Sequence, residues 1–253
     1  MVGSPRRIDT VIFDLDDTLI DWSNQAVSWQ EFAQPRTENV RRYLIQNGYG
    51  MPPAKEFYTR IDEAISRLWN KAKETCLIQS IGDMLFDELT KMGLDVASLN
   101  KRSLLENYDW QPFPGVQPFN DTHTVLQILQ EKGYKIGLLT NSFLPMWMRD
   151  VELRAYNIID FLDARLTAAD VGYIKPHPKI YHHILRLLDS EAKSSLFVGD
   201  RPAHDIAGAN EVGLTTVLIT PPHVDAELDG VIPDFTIKTL SELPTVLTNL
   251  NPV

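Results

Sequence analysis

The sequence predicts an α/β fold: a doubly wound parallel sheet, Rossmann-like in layout, with a second, smaller all-helical cap domain inserted after the first strand. Three observations carry this. Apolar runs of strand length alternate with helical stretches after about residue 113, following one such run near the start; strand–helix alternation implies a parallel sheet covered on both faces. Between these parts, about ninety residues from Trp22 to Trp110 lose strand-like runs and take up helical spacing. Pro112-Phe113-Pro114-Gly115 then punctuates the chain, with Pro118 close behind. The division this implies is a core of residues 1–19 and 113–253 and a cap of residues 20–112.

The elements follow in order. Thr10-Val11-Ile12-Phe13 is β-branched, aromatic and continuously apolar, which suits a strand buried on both faces. It runs into the acidic turn Asp14-Leu15-Asp16-Asp17-Thr18. Val40, Tyr43 and Leu44 begin a helical face ended near Gly48, and Pro52-Pro53 separates it from the next. Phe57, Ile61, Ile65, Leu68, Trp69 and Ala72 step by three and four along one face; Ile81, Leu85, Leu89 and Met92 repeat the pattern before Gly93. Beyond the punctuation come a helix around Val125–Leu129 ended by Gly133, a strand from Lys135 to Leu139 and a helix from Met146 to Tyr156. A short strand at Ala164–Thr167 and a helix at Tyr181–Leu188 follow. Strands at Ser195–Val198 and Thr215–Ile219 flank a helix at Ile206–Val212, and Asp234–Ile237 is a further strand.

Composition narrows the function. Hydrophobic residues make up 43% and charged residues 23% of the chain, ordinary values for a globular protein. The 24 basic and 34 acidic residues give a net charge of −10, and no run of Lys or Arg exceeds two. A nucleic-acid or anionic-membrane surface carries a basic stripe, so neither partner is expected. An anionic substrate then needs a local device, such as a metal ion or a placed lysine. Cys76 is the single cysteine, which forbids an intrachain disulfide and fits a reducing compartment. Its plainest reading is a small residue on a helix. The stretch from Met1 to Thr10 holds Arg6 and Arg7 without a following apolar run of leader length. No apolar segment approaches the roughly 18 residues of a membrane span, so a cytoplasmic location is expected.

In open α/β sheets the ligand sits beyond the carboxyl ends of the strands. Asp14, Asp16 and Asp17 follow the first strand; Thr140, Asn141 and Ser142 follow the second; Gly199, Asp200 and Asp205 follow the Phe197 strand; Lys175-Pro176 lies between the last two groups. Clustered carboxylates repel and call for a divalent cation, and Mg²⁺ prefers oxygen ligands. A carboxylate can act as a nucleophile, a hydroxyl and an ammonium can hold phosphoryl oxygens, and a second carboxylate can shuttle a proton. Taken singly, these are ordinary features: acidic turns, a helix cap at Thr140-Asn141, a surface lysine. Their order, each behind a buried-type strand or in the loop between, carries the functional reading.

With these motifs the sequence resembles the haloacid dehalogenase superfamily of aspartate-nucleophile phosphohydrolases. Asp14-Leu15-Asp16-Asp17-Thr18 looks like its first motif, Leu138-Leu139-Thr140-Asn141 its second, Lys175 before Pro176 its third, and Gly199-Asp200 through Asp205 its fourth. The resemblance covers essentially the whole chain, with Pro112 to Val116 similar to the returning hinge of the cap. It implies Asp14 as nucleophile, Asp16 as general acid and then base, and Thr140, Asn141 and Lys175 as phosphate-binding residues. It further implies Mg²⁺ held by Asp14, the Asp16 carbonyl and Asp200, with Asp205 orienting a water or Lys175, or ligating directly. The branch that attacks carbon has no use for an acid at the position of Asp16, which favours phosphoryl transfer. The expected function is a Mg²⁺-dependent phosphatase acting on a small phosphorylated metabolite. A phosphomutase of sugar phosphates and a non-catalytic binding protein are the alternatives.

Other residues draw attention less strongly. Arg201 stands where the motif more usually has a small hydroxyl residue, and can face substrate or solvent. His204 beside Asp205 reads as a polar loop residue. His177 lies between two prolines, and His182-His183, adjacent on a helix, point in different directions and form no metal pair. Trp22, Trp29, Trp69 and Trp110 read mostly as cap packing, with a substrate wall among them possible on chemical grounds.

Overall fold

The computed structural model describes residues 7–252; Arg6, part of the stretch read for a leader, lies outside the described residues. The chain opens with β1 (Thr10–Phe13), buried at every position, and β2 (Ile20–Asp21). Four helices follow: α1 (Trp29–Gln46), α2 (Ala54–Thr75), α3 (Ile81–Lys91) and α4 (Lys101–Tyr108). After β3 (Gln117–Pro118) come α5 (Thr122–Glu131), β4 (Lys135–Thr140), α6 (Met146–Ala155), β5 (Ala164–Thr167), α7 (Ala168–Val171) and α8 (Pro178–Leu187). The remainder is β6 (Ser195–Gly199), α9 (Ala207–Glu211), β7 (Thr215–Ile219), β8 (Phe235–Ile237) and α10 (Leu243–Leu250).

The main sheet has six strands in the order β5-β4-β1-β6-β7-β8, and every pairing within it is parallel. β1 lies between β4 and β6, with Phe13 level with Leu138 on one side and Val198 on the other. The chain after β1 therefore builds outward on one side through β4 and β5, and on the other through β6, β7 and β8. Such a switch opens a crevice at the carboxyl ends of the central strands. β6 is buried along its whole length like β1, as strands covered on both faces must be.

The helices between β2 and β3 pack on one another around the apolar face expected for α2, where Phe57, Ile61, Ile65, Leu68 and Ala72 are buried. α1 starts earlier than its apolar spacing shows. Ser28 and Glu31 form a reciprocal cap, with Ser28 accepting from the Glu31 amide at 3.2 Å and Glu31 accepting from the Ser28 amide at 2.8 Å. The helix then carries Pro35 in its interior. Cys76 is not within a helix: it terminates α2 in the left-handed region, with φ +56.

Backbone contacts hold this helical layer against the sheet domain. β2 pairs antiparallel with β3, where the chain leaves and re-enters the core. Nearby, Gly115 has φ +88, and a Cβ there would sit 2.0 Å from the carbonyl oxygen of Asn24, so only glycine fits. On the far side the Ile78 amide donates to Gly172, the Ile174 amide donates to Cys76, and the Ile81 amide donates to Phe143. Among the described residues no helix is long and apolar enough to cross a membrane.

Candidate active site

The acidic turn after β1 is anchored at its first residue. The Asp14 amide donates to Val198, extending β1 along β6 by one bond, and the chain then coils tightly, with the Leu19 and Ile20 amides both donating to Leu15. Asp17 takes a left-handed conformation, φ +57, that turns the chain there. Asp14 is thereby pinned under the crevice, 7% exposed, while the side chain of Asp16 faces the open space and is 33% exposed. Thr18 is wholly buried, its hydroxyl without a partner among the described residues.

Lys175 reaches this point from the loop before α8. It is buried, 1% exposed, rather than placed at an open sheet edge. Its Nζ lies 2.6 Å from Asp14 Oδ1 and 2.7 Å from Asp205 Oδ1. Burial alone would lower the ammonium's pKa, but the two carboxylates outweigh it and hold the charge on above the ordinary lysine range. The loop carrying Lys175 is fixed by Asn141, whose carboxamide accepts from the Lys175 amide at 2.7 Å and donates to the Lys175 carbonyl at 3.1 Å. Thr140 is buried at the end of β4, with Oγ1 donating to Asp16 Oδ2 at 3.3 Å.

β6 delivers the last two acids. Asp200 and Asp205 are each 1% exposed. A π-helical turn at Pro202–Ile206 brings Asp205 back beneath Gly199, where its Oδ2 accepts from the Arg201 amide at 2.9 Å. A Cβ on Gly199 would fall 2.4 Å from Asp205 Cγ, so the small residue of the Gly-Asp pair is required by this return. Tyr181 supports the turn from α8, its hydroxyl donating to the His204 carbonyl at 2.5 Å. Tyr181 was not singled out in the sequence, where it is one apolar position of a helix.

The carboxylates of Asp14, Asp200 and Asp205 each offer an oxygen within 4.8 Å of the others. Burial, followed by the charges of Asp205 and Asp14, pushes the Asp200 carboxyl up to about 9. Burial also raises Asp14, to about 7, although Lys175 pulls it down. Both Asp200 oxygens are buried and find no hydrogen-bond partner among the described residues. Once ionised, three carboxylates against one ammonium leave two negative charges, which a divalent cation with oxygen ligands offsets. The donor set fits Mg²⁺.

Two features were not legible beforehand. Arg149, one turn into α6, is buried and bridges Asp16 and Glu152, with Nη2 lying 3.1 Å from Asp16 Oδ1. Burial would lower its pKa, but Asp16 and Glu152 hold it above the ordinary range. Trp22 donates its indole N–H to Asp16 Oδ1 at 2.9 Å. A lone arginine in a helix and a tryptophan in a loop give no spacing signal; only the fold brings them to Asp16. Of the residues first read as secondary, Arg201 borders the cavity above Asp16, and His177 caps α8, Nδ1 accepting from the Lys179 amide at 3.2 Å.

The sheet order, the strand-end acids and the buried lysine agree with comparisons to known proteins. Pyrophosphatase PpaX of Bacillus cereus is 27% identical over 97% of this chain and 99% of its own. Glyceraldehyde 3-phosphate phosphatase of Methanopyrus kandleri is 27% identical over 96% and 98%. Among solved structures, a 2-haloacid dehalogenase from Pseudomonas syringae pv. Tomato matches with a TM-score of 0.64 and 28% identity, covering 96% of this chain and 99% of its own. An HAD phosphatase from Thermococcus onnurineus matches with a TM-score of 0.58 and 26% identity, covering 95% and 98%. The family model for haloacid dehalogenase-like hydrolases matches residues 8–213, spanning the first strand, the helical layer and all four strand-end motifs, and the chain belongs to that family.

Proposed function

We propose that this hydrolase is a Mg²⁺-dependent phosphatase that cleaves a small phosphomonoester through an aspartyl-phosphate on Asp14. The observation that carries the reading is the buried set of Asp14, Asp200 and Asp205 around a single ammonium, Lys175. The relatives named for phosphatase and pyrophosphatase activity support it. A dehalogenase is also among the structural neighbours. Asp16, a second carboxylate facing the cavity and held by three donors, favours phosphoryl transfer, because attack on carbon needs no acid there.

Asp14, the Asp16 carbonyl and Asp200 would hold the ion, with Asp205 fixing Lys175 beside them. When bound, Mg²⁺ supplies positive charge to the phosphoryl oxygens and relieves repulsion between Asp14 and the ester. In the first step an Asp14 oxygen attacks phosphorus, the bond to the leaving oxygen breaks, and Asp16 gives that oxygen its proton. In the second, Asp16 takes a proton from water, which displaces phosphate from Asp14 and regenerates the carboxylate. Lys175 and Thr140 hold the charge of the phosphoryl group, and Asn141 holds Lys175. Arg149 and Trp22 keep the Asp16 carboxylate facing the leaving group. We further propose that residues 1–19 and 113–253 act as the catalytic core and residues 20–112 as a cap that selects the ester.

The test is nitrophenolate release from p-nitrophenyl phosphate. Activity is expected with Mg²⁺, is lost in excess EDTA and returns when Mg²⁺ is restored. Full activity after chelation and dialysis would contradict the metal assignment, and no release under any condition would contradict the phosphatase.

A further inference from the structure

Resting on the phosphatase reading, we propose that the leaving group of the preferred ester is a planar aromatic ring, held against a wall of indole and phenyl side chains between cap and core. A cavity of about 870 Å³ opens above Asp16, Asn141 and Arg149. This is room for a phosphoryl group and one or two fused rings, within the usual span of small-molecule sites.

The rings form a continuous arc. Trp22 packs on Phe113 with centroids 4.9 Å apart, Phe113 stacks with Trp29 at 6.2 Å, Trp29 meets Phe143 at 6.4 Å, and Phe143 meets Trp69 at 6.0 Å. Packing alone does not account for all of it. Phe113 and Phe143 are buried at 2% and 4% exposure, as interior rings are, but Trp29 is 38% exposed, and Trp22 and Trp69 are only half-buried. Trp22, Trp29 and Trp69 all line the cavity. A large apolar face left to water beside a reactive acid is where a ligand gains most by covering it.

The wall also has a direction. Trp22 donates to Asp16, so the arc begins at the acid and runs away from it toward α2. On α2, Ile65, Trp69 and Lys73 lie four residues apart on one face, with Ser66 and Asn70 beside them, and all five border the cavity. A ring bonded through its ester oxygen near Asp16 would lie along the indoles and meet hydroxyl, amide and ammonium groups at its rim. Inorganic phosphate and short polyols have no face to offer such a wall. Pyrophosphate and glyceraldehyde 3-phosphate are therefore poorer fits here than an aryl or arylmethyl phosphate.

Benzyl phosphate and cyclohexylmethyl phosphate test this directly, being alkyl esters of similar size that differ in the flatness and π-character of the ring. With Mg²⁺, kcat/KM is expected to favour benzyl phosphate by roughly five- to tenfold, the scale of one good aromatic contact. That ratio should fall to near one in Trp69→Leu and recover in Trp69→Phe. A ratio is read because it is insensitive to a general loss of active protein. Acetyl phosphate, which has no ring, reports the phosphatase reading separately. A ratio near one in the native protein, with both esters and acetyl phosphate hydrolysed, overturns the aromatic leaving group and leaves the phosphatase standing. A high ratio that Trp69→Leu does not lower overturns the wall. Hydrolysis of none of the three overturns the phosphatase, and this inference with it.

Discussion

Lys175 shows how burial changes what one side chain is worth. Among the described residues its ammonium is the only cation within bonding distance of both Asp14 and Asp205, and it is shut away from water. On the proposed mechanism Lys175→Met removes a donor preorganised for the phosphoryl charge, so kcat/KM for p-nitrophenyl phosphate should drop by about two orders of magnitude, roughly 3 kcal/mol. It also leaves two buried carboxylates without their partner, which costs stability of roughly 3–5 kcal/mol in the metal-free protein. Kinetics at saturating Mg²⁺ and a urea denaturation of the same variant read the two effects separately; native values in both would contradict the pairing. The position of Lys175 before a proline was legible in the sequence, but its depth was not, because nothing local distinguishes a buried lysine from a surface one. The same holds for Arg149, whose importance comes from α6 packing it against Asp16 and Glu152.

At the scale of elements, the junction after β6 is the most exacting. Position 199, the last of β6, must be glycine because the π-helical turn folds Asp205 into the space a Cβ would occupy. Gly199→Ala should destabilise the fold by about 1–3 kcal/mol, as overpacking does. It should also weaken Mg²⁺ binding, because moving Asp205 disturbs Lys175 and the adjoining Asp200. A shifted denaturation midpoint with unchanged metal affinity would show that the turn absorbs the methyl group without moving the acid. β1, β4, β6 and β7 were readable because strands buried on both faces are continuously apolar, and α2 and α3 because one apolar stripe repeats at helical spacing. β2 and β3 were not, since a pair of two residues each carries no period, and Pro118 within it argues against a strand. α4 and α10 are eight residues each, too short for a stripe to stand out, and the start of α1 was obscured by Pro35.

Over the whole molecule, a net charge of −10 meets a chemistry that needs an anion to approach. Asp14, Asp200 and Asp205 cluster where the metal would offset them, while Lys73, Arg149 and Arg201 border the cavity. That distribution has a pH signature. In the metal-free fold Asp200 is raised to about 9 and Asp14 to about 7, chiefly by burial. Both pKa values lie above those of the unfolded chain, so the folded state binds more protons, and stability is lost as pH rises from about 4 through 9. Mg²⁺ competes with those protons and should bind more tightly at higher pH. The rise in Tm on adding a fixed excess of Mg²⁺ is expected to be larger at pH 8 than at pH 5.5. An equal rise at both would contradict metal binding at Asp200. The parallel sheet and the strand-end acids were legible from the order of motifs. The closure of the cap through the contacts of Ile78, Ile81 and Ile174 was not, because these are backbone bonds between segments distant in sequence.

Nucleophilic attack by Asp14 is the central claim, and the variant Asp16→Ala tests it most directly. A nitrophenolate leaving group hardly needs a proton, so the first step should proceed, while the second loses its base and slows by roughly 10²–10⁴. Rapid-quench kinetics at saturating Mg²⁺ should show a burst of nitrophenolate near one equivalent. Intact-protein mass and peptide mapping of the acid-quenched sample should then find one phosphoryl group on the peptide containing Asp14. Asp14→Asn should give neither burst nor phosphorylated protein. A burst and a phosphorylated protein in Asp14→Asn would place the nucleophile elsewhere, and a burst without phosphoenzyme at saturating Mg²⁺ in Asp16→Ala would contradict the aspartyl-phosphate.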